Sequence, residues 1–248
     1  MPAAAERPTS PAAVAHEPAR PPERLVAGPL VLRRMRAGDA GDIAAAVGES
    51  LDHLRPWMPW ATKEAADHRS QLARISEADE LWQAGTDYIY AIFAGGSDAD
   101  GGIAGSRSAG SRRAGSRRAG SGSVGSGSVG GGVAGGRDGA LVGTIGLHRK
   151  AGAHSAEIGY WIGAAHTRRG YGTAAARAVT SMAETLPGVR QVEIQCDEAN
   201  VASAGIPRKI GYRLDRIENH EPEAPGERGR RMIWVWECAE RGARDGAG

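Results

Sequence analysis

Two glycines beside two arginines form the segment of this sequence whose chemistry is easiest to name. Residues 168–173 read Arg-Arg-Gly-Tyr-Gly-Thr, and they separate an apolar, strand-like run at 157–163 from an alanine-rich run. Glycines let backbone N–H groups crowd together, and the first turn of a helix adds partial positive charge. The segment therefore predicts a binding site for a pyrophosphate.

The same segment also fits the looser dinucleotide pattern G-x-G-x-x-A, through Gly170, Gly172 and Ala175. That pattern should open a series of strand–helix–strand units in a parallel sheet. Here an antiparallel meander is predicted before the glycines and only one crossover after them, which disfavours a Rossmann enzyme. A P-loop is excluded more firmly, because no Gly-Lys-Ser/Thr follows the glycines.

Glu157 is a candidate general base, because it is the one acidic residue in an otherwise apolar strand run. Strand alternation places it on the face opposite Ile158, Tyr160 and Ile162. A carboxylate there could remove a proton directly or through water. The alternative is an exposed strand carboxylate without a catalytic role, since antiparallel sheets commonly have a polar face.

Trp57 and Trp60 belong to the segment Leu-Arg-Pro-Trp-Met-Pro-Trp at 54–60. Its two prolines end the preceding helix and produce an aromatic-lined turn. Large aromatic surfaces beside a proline-rich turn suit an acceptor pocket for a peptide terminus. Packing of both tryptophans against the first helix explains them equally well.

The elements around these residues are predicted in the order β-α-α-β-β-β-α-β-α-β-β. Three consecutive strands, at about 88–93, 140–148 and 155–163, indicate an antiparallel meander. A helix at about 173–186 then leads to the next strand. We expect an α+β fold, with a mixed, mostly antiparallel twisted sheet of about seven strands flanked by about four helices.

Two stretches lack the composition of packed protein. Residues 1–24 mix proline, alanine and charges, and predict a disordered N-terminal arm without a signal peptide or membrane anchor. Residues 95–138 form a Gly/Ser/Arg pentapeptide repeat, which predicts a flexible loop at a hairpin tip. We expect one domain at 25–240, interrupted by that loop and followed by a disordered tail at 241–248.

Composition narrows the class of protein further. The net charge is +2, and the 95–138 loop, with six Arg and three Asp, contributes +3 of it, so the folded part does not predict a nucleic-acid surface. Cys196 and Cys238 are far apart, and the histidines lack metal spacing, so no metal is expected. These features favour a cytoplasmic protein.

Three separated blocks resemble the GNAT superfamily of N-acetyltransferases. Residues 157–162 with 166–173 look like its acyl-CoA loop, although Thr167 stands where the commonest form has Gln or Arg. Residues 200–212 are similar to the N-x-x-S-x-x-[VI]-x-x-K-x-G-[FY] segment of the RimJ/RimL-type branch, which acetylates N-termini of ribosomal proteins, as are residues 54–60. The resemblance covers the chain outside the arm, the loop and the tail.

The resemblance implies the GNAT fold, with acetyl-CoA as co-substrate and no metal. Carried over, Asn200 would contact the pantetheine arm, although an asparagine also makes a good helix N-cap. Ser203 would donate a proton to the departing thiolate, with Tyr212 as a rival acid. Trp161 and Ile162 would pair their backbone with the pantetheine. The implied pyrophosphate-binding residues are Arg168, Arg169, Gly170, Tyr171, Gly172 and Thr173.

The expected reaction is direct attack of a neutral primary amine on the acetyl thioester in a ternary complex, with a protein N-terminal α-amine as acceptor. Two alternatives stay open, a non-catalytic acyl-CoA-binding regulatory module and an acetyltransferase for small-molecule or antibiotic amines. The arginine-rich loop is either a solvated linker or a weak contact to the ribosome or RNA. No membrane partner is expected, and the protein would be a monomer or homodimer.

Overall fold

The computed structural model describes residues 20–95, 138–150 and 154–239. Most of the predicted arm, loop and tail therefore lies outside the described residues. The described chain is already part of the domain before residue 25, because Pro21 is buried and the Tyr90 hydroxyl donates to the Pro22 carbonyl at 2.9 Å. The first strand begins at Arg24 and pairs with the next strand as the edge of the sheet.

An eight-stranded sheet forms the centre of the domain, in the order β1-β2-β3-β4-β5-β6-β8-β7. Neighbouring strands are antiparallel except for β5 and β6, which confirms the predicted mixed, mostly antiparallel sheet. β1 is the strand that sequence analysis missed, because it is short and follows a proline-rich stretch. The strands are β1 (Arg24–Ala27), β2 (Leu30–Arg34), β3 (Asp87–Gly95), β4 (Gly139–Arg149), β5 (Ser155–Ile162), β6 (Gln191–Asp197), β7 (Arg213–Asn219) and β8 (Arg230–Glu237).

Five α-helices are described, one more than the approximate number expected. The first predicted helix is divided at Ser50, which separates α1 from the four-residue α2. α3 is capped by Asp67, whose carboxylate accepts from the Ser70 N–H at 3.0 Å, and it ends at Gly85 with φ +76°. The helices are α1 (Ala40–Glu49), α2 (Leu51–Leu54), α3 (His68–Ala84), α4 (Tyr171–Ala183) and α5 (Val201–Ile210).

Helices cover both faces of the sheet, and β5 contributes to both cores. Its Ile158 packs in the larger core, with Ala175 and Val179 of α4. Its Trp161 packs on the other side, with Ile43 of α1. This alternation is what a strand between two apolar layers requires. Glu157 lies on the Trp161 side, as the sequence pattern predicts.

β5 and β6 pair over only a short length and then diverge. Their parallel pairing joins Ser155–Glu157 to Gln191–Glu193, although the strands have eight and seven residues. Beyond these pairs, the backbone of β5 that faces β6 has no strand partner among the described residues. An unpaired strand edge is a template for an extended ligand. The cleft between the two strands is therefore the place to look for a site.

Candidate active site

A cleft of about 740 Å³ opens where β5 and β6 part. One wall includes Asn200 and Ser203 at the start of α5, and the opposite wall includes Trp57 and Trp60. Glu157 lies between them on β5. Residues predicted for the cofactor and residues predicted for the acceptor therefore line the same cleft.

The connection from β5 to α4 leaves backbone N–H groups free at the start of the helix. The Ala164 N–H donates to the Ser50 hydroxyl at 3.0 Å, which fixes the turn after β5 to the end of α1. Arg168 then has φ +58° and Gly170 φ +81°. α4 begins at Tyr171 with no side chain capping its first turn. These free N–H groups, beside an exposed arginine, fit a phosphate anion.

Glycine is favoured at the two positions of this connection for different reasons. At Gly170 the reason is the left-handed backbone conformation and not a lack of space, because a Cβ there would meet no atom within 4 Å. A Cβ on Gly172 would lie 2.8 Å from Ile206 Cδ1 and 3.5 Å from Ile162 Cγ1. Gly172 therefore lets the N-terminus of α4 pack closely against α5 and the end of β5.

His166 belongs to the same connection, and its ring lies 6.5 Å from that of Tyr171. Its Nδ1 is buried and has no hydrogen-bond partner in the described part of the chain. Burial, and then the nearby charge of Arg169, lower the pKa of His166. The imidazole is thus neutral at pH 7, and the positive charge of the connection comes from the arginines and the helix end.

Asn200 and Ser203 are brought together by the cap of α5. The Asn200 side-chain oxygen accepts from the Ser203 N–H at 3.1 Å, which leaves the Asn200 amide NH₂ for a ligand. Pro207 lies one turn later and has no N–H for the Ser203 carbonyl. The Tyr160 hydroxyl lies 3.2 Å from that carbonyl and 3.2 Å from the Ser203 hydroxyl. Tyr160 thereby joins β5 to α5 across the cleft.

Tyr160, not Tyr212, is the tyrosine beside Ser203. Tyr212 is buried in the larger core, where its hydroxyl is 2.7 Å from that of Thr180, so it does not reach the cleft. Burial raises the pKa of Tyr160 well above its usual range, and raises the pKa of the adjacent Cys196 thiol to about 11. Both groups therefore keep their protons at neutral pH.

The opposite wall carries the aromatic residues. The Trp60 ring lies 6.1 Å from that of Trp161, and the Arg74 guanidinium lies over the Trp60 ring, 5.0 Å from its centroid. The Pro56 carbonyl accepts from the Gly226 N–H at 2.8 Å. The connection between β7 and β8 (residues 220–229) therefore closes over the segment that carries the tryptophans.

A buried carboxylate holds this 220–229 connection. Asp197 accepts from the N–H groups of Ala199, Arg228 and Arg230 at 2.9–3.0 Å, and its side chain is 1% exposed. Burial by itself raises the pKa of Asp197, but the backbone donors and His220 outweigh it and leave the pKa below its usual value.

Glu157 is paired with a cation in the cleft. Its carboxylate lies 3.5 Å from the Lys150 ammonium, which also lies 2.7 Å from Glu193. Desolvation lowers the pKa of Lys150, but the hydrogen bond and charge of Glu193, with Glu157, outweigh that effect and leave the pKa raised. Lys150 is therefore a stable positive charge beside Glu157.

Sequence analysis missed Tyr160, Asp197, the 220–229 connection and one histidine, His148, which lies in the cleft and contacts Asp87. Pro207 in α5 could have indicated a partner such as Tyr160, because a proline has no N–H and leaves the Ser203 carbonyl without a helical donor. The others had no local signal, because their roles depend on which strands become neighbours.

The sheet opens between two parallel strands, β5 and β6, and the uncapped helix α4 follows β5 along the chain. The sequence profile of the acetyltransferase (GNAT) domain matches residues 29–213. The chain therefore belongs to the GNAT acetyltransferase family. In the ranges that the structure describes, no group of three or more His, Cys, Asp and Glu side chains is placed to hold a metal ion.

Solved structures share the fold. RimL, a ribosomal L7/L12 α-N-protein acetyltransferase in complex with coenzyme A, is 14% identical over 86% of this chain and 96% of its own, with a TM-score of 0.63. Mycobacterium smegmatis RimJ in complex with CoA-disulfide is 19% identical over 91% and 88%, with a TM-score of 0.64. The microcin C7 self-immunity acetyltransferase MccE, in complex with acetyl-CoA and AMP, is 13% identical over 84% and 92%, with a TM-score of 0.62.

Sequence comparison with curated proteins finds no match. Among the helices in the described ranges, none has the length and apolar character needed to cross a membrane.

Proposed function

We propose that this acetyltransferase transfers the acetyl group of acetyl-CoA to the N-terminal α-amine of a protein, by direct attack in a ternary complex. The observation that carries the proposal is one cleft lined by Asn200 and Ser203 and also by Trp57 and Trp60. The open edge of β5 and the uncapped start of α4 follow along the chain. Holding both substrates in one cleft supplies the effective concentration that the reaction needs.

The cofactor side fits coenzyme A. The free N–H groups from Gly170 to Thr173, with the exposed Arg168 and Arg169, would bind the pyrophosphate. Tyr171 and Gly172 form the first turn that presents those groups. The open backbone edge at Trp161 and Ile162 would pair with the pantetheine arm, and the free Asn200 NH₂ would bind one of its amide carbonyls.

Ser203 is the proposed proton donor to the departing thiolate. Its hydroxyl lies in the cleft wall, and the protonated Tyr160 hydroxyl is 3.2 Å away. A proton that leaves Ser203 can therefore be replaced from Tyr160. A backbone N–H on the open edge of β5 would stabilise the oxyanion.

Glu157 is the proposed catalytic carboxylate of the acceptor side. Its charge would attract the ammonium form of the incoming amine, while Trp57 and Trp60 would contact the first side chain of the acceptor. An α-amine has a pKa of about 7.7–8.0, against about 10.4 for lysine, so it loses its proton far more readily at pH 7. This difference, together with the α-amine specificity in the name of RimL, favours a protein N-terminus.

A cytoplasmic location, the single-domain boundaries 25–240 and a ribosome contact through residues 95–138 stay predictions from the sequence. Most of that loop lies outside the described residues. The oligomeric state, monomer or homodimer, also stays open to measurement.

Thiol release from acetyl-CoA tests the proposal. We expect turnover with octapeptides that begin with serine or alanine, and none with the same peptides acetylated at the N-terminus but carrying a free lysine. Calorimetry with CoA should show binding in either case. Turnover with small amines such as an aminoglycoside, but not with peptides, would replace the protein acceptor by a small molecule. CoA binding without any turnover would indicate a regulatory module.

A further inference from the structure

Three polar side chains form a row across the middle of the sheet. In the strand register, Asp87 of β3 is opposite His148 of β4, and His148 is opposite Glu157 of β5. Directly opposed residues project from the same face of a sheet. Because Glu157 faces the cleft, the other two side chains lie on the cleft side as well.

The imidazole of His148 has a defined orientation within this row. Its Nδ1 contacts the Asp87 carboxylate. Its Nε2 lies over two glycines that are opposite each other in the next row, 2.8 Å from the position of a Cβ on Gly146 and 3.7 Å from one on Gly159. Side chains at these two positions would occupy the space of the ring. The absence of side chains at Gly146 and Gly159 therefore leaves space for the imidazole inside the cleft.

The contact with Asp87 decides which nitrogen is basic. An ionised carboxylate only accepts hydrogen bonds, so Nδ1 carries the hydrogen and Nε2 carries the lone pair in the neutral ring. Nε2 has no hydrogen-bond partner in the described ranges, and the His148 side chain is 44% exposed. A base held by a carboxylate, with its free nitrogen in an open cleft, is the arrangement that general-base catalysis requires.

We propose that His148, oriented by Asp87, is the general base that removes the proton from the acceptor ammonium. The proposal rests on the acetyl transfer proposed above. Gly159 is the first residue after Glu157 on this face, just beyond the last β5–β6 pair, so Nε2 lies beside the open strand edge proposed for the pantetheine.

Glu157 is less suited to that step because of its neighbour. Its carboxylate already forms an ion pair with the Lys150 ammonium, at 3.5 Å. The negative charge of Glu157 instead attracts the acceptor ammonium into the cleft. His148 and Glu157 thus divide two tasks, proton removal and charge attraction. The other charged side chains that line the cleft are Arg74, Glu77, Asp197, Glu223, Glu227 and Arg231.

The step is balanced in protons and electrons. Nε2 takes one proton from the ammonium and later releases it to solvent. The nitrogen lone pair then forms the C–N bond to the acetyl carbonyl, and the C–S bond breaks with its electron pair going to sulfur. The sulfur receives the proton of the Ser203 hydroxyl, and the second proton that the nitrogen releases passes through water to restore Ser203. The products are the N-acetyl amide and the free thiol.

Two measurements test the proposal. Nitrogen-15 NMR of the imidazole, in the protein without ligands, should show the hydrogen on Nδ1 of His148. In Asp87→Asn the amide can donate to Nδ1, which should move the hydrogen to Nε2. This readout does not depend on turnover.

The second measurement compares two acceptors at pH 7, an octapeptide that begins with serine and the same peptide with an aminooxyacetyl group at its N-terminus. The aminooxy group is neutral at pH 7 and needs no base before attack. We expect His148→Gln to lower kcat about 10²–10⁴-fold with the serine peptide, and much less with the aminooxy peptide. His53→Gln is the matched control, since His53 is exposed and lies outside the cleft.

Gly146→Ala keeps the histidine and its carboxylate but displaces Nε2, so it should lower kcat for the serine peptide even where His148→Gln folds poorly. Equal losses with both acceptors, or an unchanged rate in His148→Gln, would reject His148 as the base and leave the acetyltransferase function intact. Failure of the unmodified enzyme to acetylate any amine would reject both together.

Discussion

The two sides of the cleft are built in different ways. The proposed cofactor side comes from two continuous segments, residues 157–173 and 200–207, and it presents mainly backbone groups, at a strand edge and at two helix starts. The acceptor side combines side chains from the turn at 55–61, from three adjacent strands and from the connection at 220–229. Backbone sites depend on local conformation, whereas side-chain sites depend on how distant segments pack. The two sides should therefore respond differently to substitution.

The largest effect is expected on the acceptor side, from Asp197→Asn. The amide keeps one acceptor but places an NH₂ group among backbone N–H donors, so we expect a loss of about 2–3 kcal/mol in the free energy of unfolding. The 220–229 connection should loosen, which would raise the KM of the acceptor peptide. The dissociation constant of CoA should rise by a smaller factor, because Asp197 also holds the Ala199 N–H beside Asn200.

The acid dependence sharpens this prediction. Folding lowers the pKa of Asp197, so the ionised carboxylate stabilises the folded protein. This stabilisation is fully present above the pKa of an aspartate in the unfolded chain, about 3.9. It is lost as the pH falls through the lower pKa of the folded state. Urea unfolding at pH 7, 5 and 3.5 should show the difference between wild type and Asp197→Asn shrinking at the lowest pH. A difference that stays constant over this range would contradict the role of the charge.

The same contrast explains what could be predicted from the sequence. Strand alternation placed Glu157 on the face opposite Ile158, Tyr160 and Ile162. The glycine-rich segment predicted the start of a helix and carried the acyl-CoA resemblance. These features are local, because each depends on residues within one or two elements. The predicted roles of the cofactor residues stay predictions.

The acceptor side could not be predicted in this way. Asp87 and His148 are 61 positions apart, with the whole arginine-rich loop between them, and they meet only through the register of β3 and β4. A single-residue shift of that register would place them on opposite faces. No spacing in the sequence encodes the register, so His148 was grouped with the scattered histidines.

A smaller effect is expected on the cofactor side, from Gly172→Ala. The new Cβ would lie 2.8 Å from Ile206 Cδ1, and the displacement of α4 from α5 should cost about 1 kcal/mol. The dissociation constant of CoA should rise about fivefold, which corresponds to the same free energy. The acceptor KM should stay unchanged at saturating acetyl-CoA.

Ile206→Val supplies the matched control, because valine lacks the Cδ1 atom that the new methyl group meets. The double variant Gly172→Ala, Ile206→Val should recover most of the lost CoA affinity in calorimetry. If the double variant binds CoA as weakly as Gly172→Ala, the glycine is needed for close approach of the phosphate and not for helix packing.

The smallest effect is expected from Arg168→Gly, in the connection from β5 to α4. This variant separates the effect of backbone conformation on stability from the effect of charge on CoA binding. Arg168 is the one residue other than glycine with positive φ in the described ranges, and such a conformation costs a side chain about 1 kcal/mol. Arg168→Gly relieves that strain but increases the entropy of the unfolded chain, so the melting temperature should hardly change. Loss of the charge should weaken CoA binding by about 0.5–1 kcal/mol, since the side chain is exposed.

Arg169→Gly removes an equal charge at a neighbouring exposed position without positive φ. It should weaken CoA binding by a similar amount and also lower the melting temperature, because no strain is relieved to offset the flexibility of glycine. Differential scanning fluorimetry and CoA calorimetry on both variants give the comparison. A higher melting temperature for Arg168→Gly than for Arg169→Gly, with equal losses of CoA affinity, would show that the strained Arg168 lowers stability while it contributes to cofactor binding. Equal melting temperatures in the two glycine variants would show instead that Arg168 adopts its conformation without cost.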